Sequence, residues 1–240
     1  MIDGQKRDRM KEVNYSENEM KLLLNAVIKF VCGILLVGVL LFFPSGTLAY
    51  TRGWLFVGLL FVPIFIMGAV LYFKAPDLLK RRLDAKEKQG AQKGIVAVSG
   101  LGFLFGFVVS ALDFRFGWSN VPVWLTALAS VLFIASYALY AEVMRENAYL
   151  SRTVKVEEGQ KVVSTGLYGI VRHPMYSATV IMFMMIPLIL GSYWGLLAFL
   201  HYPVLMCLRA VNEEKLLSAE LEGYEEYKKK VKYRLIPYIW

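Results

Sequence analysis

The chain has 240 residues, of which 57% are hydrophobic and 19% charged, with a formal net charge of +8. A soluble domain carries roughly 45–50% apolar residues, and here the excess falls in blocks, which excludes an ordinary soluble globule and makes lipid the solvent for much of the chain. The only cysteines are Cys32 and Cys207 and the only histidines His173 and His201, too few and too widely spaced for a disulfide framework or a metal-ligand pattern.

Residues 1–21 are polar and charged. No short apolar stretch with a small-residue cleavage site lies near Met1, so the first apolar block is expected to be a retained span, not a signal peptide. A helix needs about 20 apolar residues to cross the hydrocarbon core. Residues 22–43, 54–73, 94–112 and 121–141 meet that length. The connection 75–93 is charged, and residues 76–86 are expected to form an amphipathic helix on the membrane surface. In the third span Gly102 and Gly106 lie one helical turn apart, a spacing that lets helices approach closely. Packing inside one bundle explains that step better than a dimer interface, and a monomer is the expectation.

A polar stretch, 142–174, leads into an apolar block at 175–208 that is too long for one ordinary span. Gly191 and Ser192 interrupt it, so it reads as a helical hairpin of 177–190 and 193–208. Pro187 and Pro203 are expected to kink these helices, since neither can donate to the helical ladder. The spacing predicts an all-α fold: a polytopic membrane helix bundle of about six transmembrane segments, with four spans in 1–150 and a catalytic region in 151–240.

Lysine and arginine set the orientation. Of the 27 such residues, 24 fall on alternate sides of this six-span scheme, in 1–21, 74–93, 142–174 and 209–240. Only Arg52 and Arg115 fall on the opposite side, and Lys29 lies within the first span. Both ends are therefore expected in the cytoplasm, and the basic balance is explained without nucleic acid.

The hairpin returns the chain to its starting side, so 151–176 and 209–240 must meet in space. Arg172, His173 and Tyr176 come from the first segment, and Arg209, Glu213 and Glu214 from the second. Ionisable groups at that depth are costly unless paired and default to a functional hypothesis. Pro174 disfavours a helical His173 but suits the first turn of a following helix, whose free N–H groups suit a carboxylate. An interfacial anchor would use the same residues. Arg209 and Glu213 form an i,i+4 pair, either a structural ion pair at a membrane exit or two arms of a ligand site. Gly166 and Gly169 make no dinucleotide fingerprint, which needs a βαβ unit.

These residues resemble the isoprenylcysteine carboxyl methyltransferase family and its bacterial relatives. The marks are Arg172-His173-Pro174-Met175-Tyr176, the apolar block to Leu208, and Glu213-Glu214, with Thr165-Gly166-Leu167-Tyr168 upstream and Gly223-Tyr224-Glu225-Glu226-Tyr227 downstream. The match spans 160–237; Ala178 stands where the family commonly has a small residue, often glycine, and keeps the small size. The resemblance implies a bacterial inner-membrane methyltransferase using S-adenosyl-L-methionine without a Rossmann domain. Carried over by position, the cofactor contacts are Lys161, Val162, Val163, Tyr168, His173, Pro174, Tyr176 and Glu213, with Thr153 a looser match. Arg209 falls on the substrate side, and Arg172 and Glu214 at the reacting centre.

The implied partners are a lipophilic or prenylated acceptor and membrane lipid. A carboxylate acceptor arrives ionised and needs positioning and exclusion of water. An amine acceptor, as in phospholipid N-methyltransferases, needs deprotonation, for which Glu214 is a candidate base. From another class, 231–240 is similar to the end of NADPH-dependent sterol reductases, although Asn212 stands where those have Arg or Asp before the acidic pair.

Overall fold

The computed structural model describes residues 2–84, 90–151, 153–156 and 158–240, the backbone alone for 2–18 and 91. The described residues form helices α1 (Ile2–Ser45), α2 (Thr51–Lys74), α3 (Pro76–Leu83), α4 (Gly90–Phe116), α5 (Val123–Glu146), α6 (Pro174–Leu190), α7 (Tyr193–Phe199), α8 (His201–Glu220) and α9 (Tyr224–Lys230), with a 3-10 turn at Gly166–Gly169. No strand occurs among them.

Five segments are long and apolar enough to cross a membrane: Glu19–Ser45, Thr51–Lys74, Gln92–Phe116, Val123–Glu146 and Tyr193–Glu220. Helix α6 is apolar but has only 17 residues, a length of about 25 Å against a hydrocarbon core of about 30 Å. The hairpin is thus asymmetric, a short α6 against a long α7–α8 arm. Bulky apolar residues such as Leu35, Phe65, Leu101 and Val131 lie exposed on the periphery, as lipid contact requires. Inside, Leu41, Phe56, Phe107, Phe133, Ile186, Ile189 and Phe199 share one core.

The hairpin turn follows from its sequence. Gly191 takes the left-handed conformation at φ 81°, caps α6 and lets Ser192 N donate back to the Pro187 carbonyl at 2.8 Å. The Ser192 hydroxyl then caps α7 by accepting from Gly195 N at 2.7 Å. It also donates to the buried Asp113, whose carboxylate accepts from Ser119 N and Oγ. Tyr50 Oη donates to the Leu190 carbonyl at 2.6 Å. The tip is therefore bolted to α4 and α2. Pro203 sits in the first turn of α8 and cannot donate to the Phe199 carbonyl, the last residue of α7. The two helices meet at that break.

Gly102 and Gly106 face the same chain's hairpin. A Cβ at Gly102 would lie 2.0 Å from His201 Nε2, and one at Gly106 would lie 2.2 Å from the Phe199 ring. Their role is to let α4 lie against α7 and α8.

Helix α3 forms over residues 76–83 of the expected helix. Its Leu78 and Leu79 are buried at 6% and 5% exposure, and Leu78 packs in a cluster with Val143, Met144, Leu150 and Tyr168. Lys29 Nζ donates to the Leu83 carbonyl at its C-terminus. Positions 85 and 86 of the expected surface helix lie outside the described residues.

Gly106→Val should lower the thermal midpoint in detergent, by an overpacking cost of about 1–3 kcal/mol. Gly58→Ala, where a Cβ meets nothing within 4 Å, should not lower the midpoint, since alanine is the better helix former.

Candidate functional site

A cleft opens where the root of the hairpin meets the segments on either side of it, with a volume of about 780 Å3 counted out to open solvent. Pro174 begins α6 and His173 stands before it with non-helical φ −126° and ψ 63°, the restriction that a following proline imposes. That kink leaves the Arg172 and His173 backbone free to pair elsewhere. Arg172 N donates to the Tyr233 carbonyl and His173 N to the Arg234 carbonyl, each at 2.9 Å.

The side chains of this strip converge on Glu214. Its Oε1 accepts from Arg172 Nε at 2.6 Å and lies 3.2 Å from His173 Nε2, while Oε2 accepts from Arg234 Nε at 2.9 Å. Arg172 Nη1 also donates to the carbonyls of Val231 and Lys232 at 2.8 and 3.0 Å. Arg234 stacks on Trp240, 4.9 Å from the ring centroid. Glu214 is 4% exposed, so its charge is matched inside the protein, not by water.

Glu213 points the other way. It is part-exposed, lines the cleft and accepts the Tyr176 hydroxyl proton. Arg209 Nε donates to the same hydroxyl oxygen at 3.1 Å, so Tyr176 bridges the i,i+4 pair. His173 stacks on Tyr176 with ring centroids 5.4 Å apart and 12° between planes.

The 3-10 turn supplies Tyr168. Gly166 has φ +48° there, and a Cβ would collide with the Glu146 carboxylate, which accepts Leu167 N at 3.1 Å. Tyr168 Oη accepts from Asn147 Nδ2 at 3.0 Å, and its carbonyl accepts the Tyr227 hydroxyl at 2.7 Å. Burial pushes the Tyr168 and Tyr227 hydroxyls well above their usual pKa. Burial, then the nearby Glu214 and Glu213 carboxylates, does the same to Tyr224. All three stay protonated donors.

Of the residues singled out from sequence, Lys161, Val162, Val163, Tyr168, Arg172, His173, Tyr176, Arg209 and Glu213 line this cleft, and Thr153 does too. Pro174 does not: it sets the start of α6. Glu214, expected at the reacting centre, lies behind the lining with both oxygens engaged. Sequence reasoning missed Leu217, Leu221, Tyr224 and Tyr227, and Asn147, Tyr149 and Ser151 on the opposite wall. The first two were detectable, since Arg209, Glu213, Leu217 and Leu221 recur every four residues along one helical stripe. The opposite wall carries no comparable periodicity.

Residues 124–222 match the phospholipid methyltransferase family model. That stretch runs from α5 through the hairpin to the end of α8 and contains Arg172, Tyr176, Glu213 and Glu214. With the apolar spans, the match supports an integral membrane methyltransferase of the phospholipid and isoprenylcysteine methyltransferase superfamily. No curated protein matches the chain.

Glu214→Ala should cost about 3–5 kcal/mol, the penalty for leaving the buried Arg172 guanidinium without its carboxylate. The check is the detergent unfolding midpoint, together with exposure of the Trp240 fluorophore as Arg234 loses its anchor.

Proposed function

We propose that the protein transfers a methyl group from S-adenosylmethionine to a lipophilic acceptor presented at the membrane face, with the cleft opening to the cytoplasm. The observation that carries this reading is the split of Glu213 and Glu214. Glu214 pairs with Arg172 and Arg234 behind the lining, whereas Glu213 lines the cleft.

The lining suits this cofactor. Glu213 is its carboxylate, fit for an ammonium or for ribose hydroxyls. Lys161 suits the cofactor's carboxylate. Leu217, Leu221 and Val162 offer an apolar wall for a purine, with Tyr224 and Tyr227 beside them. With no strand among the described residues, the usual dinucleotide crevice has no counterpart in them. When bound, S-adenosylmethionine would supply an electrophilic methyl: an acceptor lone pair would bond to that carbon as its bond to sulfur breaks, and S-adenosylhomocysteine would leave.

A carboxylate acceptor fits the residues best. Arg209, held by Tyr176 at the membrane side of the cleft, would fix one carboxylate oxygen and leave the other free. An ammonium headgroup would first have to lose a proton, and Glu214 is a poor base while three donors hold it. The amine reading keeps support from the matched family's description as phospholipid methyltransferase. In that case Glu213 would take the proton.

Calorimetry in detergent should show binding of S-adenosylhomocysteine and none of NADPH; the reverse result removes the methyltransferase reading. Glu213→Ala should weaken S-adenosylhomocysteine about tenfold or more, the loss of a charged hydrogen bond. Arg209→Ala should mainly raise the acceptor's KM. Transfer of labelled methyl into a library of prenylated thiols and phospholipids should give an alkali-labile product. A stable product would replace the carboxylate with an amine or thiol acceptor.

A further inference from the structure

Helix α3 lies outside the residues matched to the family, yet it touches the segment that lines the cleft. Arg81 Nη2 donates to the Ala148 carbonyl at 2.5 Å. Arg82 Nη1 lies 3.4 Å from the Ser151 carbonyl and 3.5 Å from Met175 Sδ, and its Nη2 lies 3.3 Å from Tyr140 Oη. The Arg82 guanidinium also sits over the Tyr140 ring at 5.5 Å. Below these contacts Leu78 shares an apolar cluster with Leu150 and Tyr168. Consecutive arginines of one short helix thus hold two carbonyls of residues 147–151, a segment of which Asn147, Tyr149, Leu150 and Ser151 line the cleft.

Besides this clamp, Asn147 N donates to the Val143 carbonyl at 3.0 Å and Leu150 is buried in the apolar cluster with Val143 and Tyr168. Within the segment Asn147 makes a turn, its Oδ1 accepting Tyr149 N and Leu150 N donating to its carbonyl. A guanidinium on a loop carbonyl satisfies an acceptor that a loop cannot pair within itself. The same ordering presents Asn147 Nδ2 to Tyr168 Oη, so the clamp is felt on both sides of the cofactor wall.

We infer that Arg81 and Arg82 are positioning residues: through the carbonyls of Ala148 and Ser151 they order the 147–151 wall of the cleft for the cofactor. The inference rests on the cofactor reading of the cleft. Lys29, reaching from α1 to the Leu83 carbonyl, fixes the helix that carries the clamp.

The test uses full-length protein in detergent and two readouts. In the ligand-free protein, amide hydrogen exchange within 147–151 should speed up about tenfold in Arg82→Ala and in Arg81→Ala, the loss of one charge-assisted hydrogen bond's worth of order. The same variants should bind S-adenosylhomocysteine about tenfold more weakly, with the acceptor KM within about twofold of the parent. Arg82→Lys should recover part of the affinity, because an ammonium can serve one of the partners. Lys80→Ala, exposed on the same helix, should change neither readout. Unchanged exchange at 147–151 overturns the inference, whatever the ligand does. So does an equal loss of cofactor and acceptor affinity with a fallen thermal midpoint, which would make the arginines merely structural. If the parent protein itself fails to bind S-adenosylhomocysteine while exchange responds, the clamp stands as loop order and the cofactor reading falls.

Discussion

The carboxylate of Glu214 ties together three segments that are far apart in sequence. It sits on α8 where that helix leaves its apolar stretch, and it receives Arg172 and His173 from the entry to α6 and Arg234 from the segment after α9. Burying one carboxylate or one guanidinium there would be prohibitive. Together they pair: Glu214 takes both guanidiniums, carbonyls of Val231 and Lys232 take the remaining Arg172 donor, and Arg234 keeps part of its side chain in solvent. The backbone pairing of 172–173 with 233–234 follows, and with it the seat of His173 against Tyr176. Remove the carboxylate and the root of the hairpin loses its common point.

The far end of the hairpin has its own anchor of the same kind. Asp113 on α4 is 1% exposed and collects Ser119 and Ser192, while Arg52 Nη2 donates to the Val121 carbonyl. Between the two anchors, the glycines of α4 allow Phe199 and His201 to approach the backbone. The hairpin is thus fixed at its tip, along its length and at its root. A cleft built on such an arm keeps its geometry, which methyl transfer to an in-line nucleophile demands.

Hydropathy and cation placement carried the fold a long way. The spans at 54–73 and 121–141 and the break at Gly191-Ser192 reappear as α2, α5 and the hairpin turn. Helix ends were less legible, because apolar length measures the lipid and a helix can continue wherever its backbone bonds stay satisfied. α8 runs on to Glu220 for that reason, and so Arg209 and Glu213 share one stripe with Leu217. The roles of Glu213 and Glu214 were not separable from sequence, since adjacent helical residues differ only in which face they meet. Arg234, Arg81 and Arg82 were hidden in charge-rich stretches, where a partner is set by tertiary placement and leaves no local pattern.

Ultraviolet crosslinking of labelled S-adenosylmethionine to the detergent-solubilised protein, followed by peptide mapping, bears most directly on the account. The cleft predicts label on aromatic residues from both of its walls, in peptides containing Tyr149 or Tyr168 and in peptides containing Tyr224 or Tyr227. Label confined to the opposite end of the bundle, around Tyr50 and Phe114, would contradict it.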